Sequence, residues 1–70
     1  MIFIDPHIKV RIEGRDPIEH SKRVNWCGQH VGQYGLQWRF HHYGDAGRIT
    51  YTEWLFSREQ DAAHFALKFL

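Results

Sequence analysis

The closing run Tyr51-Thr52-Glu53-Trp54-Leu55-Phe56 alternates like a strand, Ser57 stops it, and Arg58 to Leu70 continues as an amphipathic helix. A period of two giving way to one near 3.6 sets the fold class as mixed α and β, and sets no chemistry. Ser57-Arg58-Glu59-Gln60 reads as a capping box with Ser57 as N-cap, and Glu59 and Asp61 suit the first turn. Ala62, Phe65, Ala66 and Phe69 form one helical stripe, widened by Leu67 and Leu70.

The earlier segments follow the same logic. From His7 to Glu13, Ile8, Val10 and Ile12 alternate with Lys9, Arg11 and Glu13, the pattern of a half-buried strand. Gly14 and Arg15 turn the chain. Asp16-Pro17-Ile18-Glu19 is a helix start, with Asp16 as N-cap, Pro17 at the first helical position and Glu19 closing a capping box. His20, Val24, Cys27 and Val31 recur at helical spacing, and Gly32 and Gly35 stop the helix. Leu36 to Tyr43 is the second strand, Gly44-Asp45-Ala46-Gly47 a hairpin turn, and Ile49 to Phe56 the third strand.

The order is therefore β-α-β-β-α in one domain spanning residues 1–70. The hairpin makes strands two and three antiparallel, and a right-handed crossover sets strand one parallel to strand two. The expected fold is α+β: a three-stranded, antiparallel-mixed sheet of order 1-3-2 with two helices on one face, ferredoxin-like without the last strand. Strand three, the most apolar and β-prone, takes the centre.

Seventy residues lie near the lower size limit for a chain that folds without staples. One cysteine, Cys27, excludes an intramolecular disulfide and points to the cytoplasm. Three Trp, three Tyr and five Phe supply core area instead. The apolar Ile2-Phe3-Ile4 is ended by Asp5 and Pro6, too short for a signal-peptide core or a membrane span, so no membrane association is expected. Nine basic against eight acidic residues argue against bulk DNA binding.

From Trp26 onward the chain resembles a group of short proteins encoded by tailed bacteriophages. The shared features are Trp26-Cys27, Trp38-Arg39-Phe40-His41, and the run from Trp54 to Phe69 with its Glu59-Gln60-Asp61-Ala62 helix start. The resemblance implies a phage setting inside a bacterial host cell. It transfers no activity and no catalytic residue.

Chemistry is sparse. Cys27 and His30 form a Cys-x-x-His pair, with His41 and His42 downstream, but alternation sends the latter two to opposite sheet faces. A tetrahedral zinc site would need a further ligand from His20 or His64, so no metal and no cofactor are expected. Cys27 as a nucleophile lies on an apolar stripe, where burial raises a thiol pKa. Paired carboxylates and a phosphate loop are absent, and no enzyme activity is expected.

What remains is surface. With Trp38, Phe40, Trp54 and Phe56 turned to the helices, the other face carries Lys9, Arg11, Arg39, His41, Tyr43, Tyr51 and Glu53. The first six are the candidate partner-binding residues. Tyr and Arg suit a protein interface, stacking and phosphate contact suit single-stranded nucleic acid, and cross-strand pairing suits a face that is merely solvated. Strands one and two are both sheet edges, open to strand addition or to a homodimer. The leading expectation is a small phage or mobile-element protein that binds and blocks a host protein. A nucleic-acid-binding module and a virion component are the alternatives.

Overall fold

The computed structural model describes residues 6–14 and 16–70; the readings placed on Ile2-Phe3-Ile4 and on Arg15 lie outside the described residues. The elements are β1 (Ile8–Glu13), α1 (Pro17–His30), β2 (Trp38–Asp45), β3 (Arg48–Phe56) and α2 (Glu59–Phe69). The sheet order is β1-β3-β2, with β3 antiparallel to both neighbours. β1 and β2 consequently run the same way without touching.

The register explains the core. Val10 and Phe40 flank Trp54, and Ile8 and Trp38 flank Phe56, so one face of the sheet is a continuous apolar floor. Trp54, Phe56 and Phe65 are fully buried there, together with Cys27 from α1. The Phe65 ring lies 4.9 Å from Trp54 and 5.1 Å from Phe56, and His20 lies 5.2 Å from Trp54. Both helices therefore cover this one face. Trp26 locks them together, with its ring 6.0 Å from Phe65 and 5.7 Å from Phe69.

Asp16 caps α1 as expected, its carboxylate accepting from the amides of Ile18 and Glu19. Glu19, however, accepts from Lys22 at 3.2 Å and does not close a reciprocal box. The second cap is a correction. Arg58 is the N-cap of α2 and makes no side-chain cap bond. Ser57 is drawn away because both its amide and its Oγ donate to the Gln37 carbonyl, at 3.0 and 3.1 Å, tying the start of α2 to the loop before β2.

That loop also moves the start of β2. The Leu36 and Gln37 amides both donate to the Gln33 carbonyl, while Gln37 Oε1 accepts from the Gln33 amide. Residues 33–37 thus form a turn, and pairing begins at Trp38. At the other end β2 runs on through Gly44 and Asp45, with a bulge between Tyr43 and Gly44. The hairpin turns on Ala46 and Gly47, both at positive φ, a two-residue connection of the kind that matches strand twist. Leu67 and Leu70 do not widen the core stripe: they are 83% and 74% exposed, because α2 rests on Ala62, Phe65 and Phe69.

Candidate functional site

The face away from the helices carries three cross-strand rows. Lys9, Leu55 and Arg39 form one, Arg11, Glu53 and His41 the next, and Glu13, Tyr51 and Tyr43 the third. All six residues singled out from the sequence share this face, because period-two alternation holds across the register as far as the Tyr43–Tyr51 pair, short of the bulge at Gly44. Lys9, Arg11, Arg39, His41 and Tyr43 are exposed and Tyr51 is half-buried.

The side chains engage one another more than alternation alone revealed. Tyr43 and Tyr51 stack with ring centroids 4.9 Å apart and planes within 13°. The Arg11 guanidinium lies 3.7 Å from the centroid of the Tyr51 ring. Next along β2, His41 tilts against Tyr43 at 4.6 Å. Tyr51 is thereby packed against Tyr43 and Arg11 together. The Tyr43 hydroxyl donates to Glu53 at 3.4 Å. Desolvation, followed by the Glu53 carboxylate, raises the Tyr43 pKa, so the phenol stays a donor at neutral pH.

Charge on the face is nearly balanced. Arg11 Nε lies 2.6 Å from Glu13, and Lys9 Nζ lies 4.0 Å from Glu53. Of the three cations on this face, Arg39 alone makes no ion pair with a described residue. Exposed pairs of this kind add little stability, but they order the side chains and cancel the field a phosphate backbone would need.

Two contributors escaped the sequence reading. Leu55, only 9% exposed, sits mid-face between Lys9 and Arg39, whose long alkyl stems suit an apolar neighbour. Tyr34, half-exposed at the edge of β2, joins Arg39, Tyr43, Glu53 and Leu55 around a shallow hollow of about 500 Å³. Leu55 was hidden by the assumption that alternation places only polar residues outside. Tyr34 lies in a turn and had no period to report it.

No family model, curated protein or solved structure matches the chain. What it does rests on its geometry.

The other candidate chemistry is dispersed. Cys27 is fully buried and His30 is exposed against the Trp26 ring at 5.1 Å. His41 lies on the open face, while His42 is on the helix side, its Nδ1 2.8 Å from Thr52 Oγ1. Among the described residues, no three His, Cys, Asp or Glu side chains gather as a metal requires. Burial, with Asp61 second, pushes the Cys27 thiol up to about 12, so almost no thiolate forms at neutral pH. No helix among the described residues is long and apolar enough to cross a membrane.

Proposed function

We propose that the chain is a non-enzymatic binding protein of a phage or mobile element, which docks its open sheet face onto a bacterial host protein and blocks it in the cytoplasm. The observation that carries this reading is the self-packed ladder Arg11–Tyr51–Tyr43–His41, set beside Leu55 and the hollow near Tyr34. A surface whose aromatic and Arg side chains are already ordered loses little entropy on docking, and Tyr and Arg are the side chains most used as protein anchors.

The same ladder weakens the nucleic-acid reading. A base must stack on a free ring face, and the Tyr51 ring is already occupied by Tyr43 and Arg11. Size matters too. Three strands at about 4.8 Å spacing and six residues at about 3.3 Å give a platform of roughly 300 Å² in projection. Stable complexes bury about 800 Å² per partner, so the contact must extend past Arg39 into the hollow beside Tyr34.

The test is affinity purification from bacterial lysate with and without nuclease, using the wild-type chain and an Arg39→Glu/Tyr43→Ala variant as baits. A stoichiometric host protein, resistant to nuclease and lost with the variant, is the expected result. Recovery of the same proteins by both baits removes the open face from the reading, and nuclease-sensitive recovery shifts it to nucleic acid. Sedimentation of the purified chain tests the homodimer that two open sheet edges favour.

A further inference from the structure

On the covered side of the sheet, a cavity of about 210 Å³ opens beside Gly14 and Asp16, between the first half of α1 and the strands. Its apolar surface comes from Ile12, Ile49 and Trp54, and its polar surface from His20, Arg23, His42 and Thr52. The two imidazoles are 4.9 Å apart, and His42 is held by Thr52 at 2.8 Å. Two of the lining residues carry buried N–H groups with no acceptor: Arg23 Nε, and Nε1 of the fully buried Trp54. Buried donors are almost always satisfied in native proteins, so two at one cavity point to a missing acceptor. Asp16, the one carboxylate among the described lining residues, is already committed to the amides of Ile18 and Glu19.

We propose that this cavity binds a small monocarboxylate on a compact apolar body. The carboxylate accepts from Arg23 Nε and Trp54 Nε1, with His20 beside it, and the apolar part rests on Ile12, Ile49 and the Trp54 ring. The volume sets the size: it equals several waters at roughly 30 Å³ each and falls below the 300 Å³ or more of sites for drug-sized ligands. A phosphorylated cofactor does not fit these dimensions. The site lies on the opposite side of the sheet from the open face and stands independently of the docking proposal.

The cavity's charge also predicts a pH response. Burial lowers the pKa of His20 most, followed by His42 and then Arg23. The titratable or charged lining groups are Asp16 and Arg23 on α1 and His42 on β2, while β1 and β3 contribute only Ile12, Ile49, Thr52 and Trp54. A bound anion offsets the repulsion from His42 and Arg23, so binding draws a proton onto His20 and tightens as the pH falls from 8 toward 6.

The experiment is a two-dimensional NMR titration of the whole chain with benzoate, and with benzamide as its uncharged counterpart, each to about 10 mM. Benzoate is expected to shift the Trp54 indole N–H and the His20 ring protons saturably, with benzamide weaker by about tenfold. Arg23→Gln is expected to weaken benzoate by about fivefold or more while distant amide signals keep their dispersion. Where that variant fails to fold, His20→Gln supplies the comparison and is expected to abolish the pH dependence. No saturable shift, an equal response to benzamide, or unchanged affinity in the folded variant overturns the assignment.

Discussion

Replacing Tyr51 by alanine tests whether the open face is ordered in the way proposed. The ring meets Tyr43 on one side and the Arg11 guanidinium on the other. An aromatic pair contributes about 0.5–1.5 kcal/mol beyond its area, and an exposed cation–π contact about 0.5–1 kcal/mol. Tyr51→Ala should therefore cost about 1–2.5 kcal/mol. A seventy-residue domain at about 0.05–0.15 kcal/mol per residue has roughly 3.5–10 kcal/mol to lose, so the variant stays folded and measurable. Its melting temperature should drop by about 4–8 °C for each kcal/mol. Urea unfolding followed by tryptophan fluorescence suits this protein, since Trp38 and Trp54 are buried at 2% and 0% exposure. The decisive quantity is the coupling. Arg11→Ala combined with Tyr51→Ala should show an interaction of about 0.5 kcal/mol or more, and Tyr43→Ala with Tyr51→Ala the same or more. Strict additivity in both cycles would mean that the rings stand apart in solution. Tyr51 would then offer a free stacking face, and the argument for a protein partner over a nucleic acid would collapse.

Four further outcomes follow from particular residues. The lowered pKa of His20 means that the unfolded chain binds more protons, so its contribution to stability is present above about pH 6.5 and lost as the pH falls through the depressed value. Urea midpoints at pH 5 and 7 should differ more in the wild type than in His20→Gln, and equal differences would refute the assignment. A Cβ at Gly44 would overlap the Arg48 carbonyl across the hairpin, so Gly44→Ala should cost about 1–3 kcal/mol. Gly28 in α1 has open space around it, and Gly28→Ala should stabilise by about 0.5–1 kcal/mol in the same denaturation assay. With its thiol buried and pushed up to about 12, Cys27 should react with a disulfide reagent at pH 8 only as fast as the protein opens, and immediate stoichiometric labelling would contradict that burial.

Much of the architecture was legible because local signals and tertiary demands agree. The alternation from Ile8 to Glu13, the Asp16 cap and the apolar β3 each favour the element in which they occur. Failures arose where a residue had two possible partners. Ser57 has the chemistry of an N-cap, yet it bonds a carbonyl twenty positions earlier that no local pattern reveals. Leu36 continues the alternation of β2, but the Gln33 carbonyl captures the Leu36 and Gln37 amides into a turn. Leu67 and Leu70 lie on the apolar side of the helical wheel, yet both stay largely exposed because α2 meets the core through Ala62, Phe65 and Phe69. On the open face, alternation correctly grouped Lys9, Arg11, Arg39, His41, Tyr43 and Tyr51, although it did not show which rings stack. The cavity at His20, His42 and Thr52 joins residues from α1, β2 and β3, a convergence that only the folded register creates.

The seat of β3 between its two neighbours has a temporal consequence. Ile8 pairs with Phe56, so the first described strand finds no hydrogen-bonding partner until nearly all the later strands have left the ribosome. At about 5–20 residues per second, its amides stay solvated for seconds while α1 is free to coil alone. A chain ended before Arg48 lacks β3, the partner of both other strands, and should therefore show helical content and no sheet.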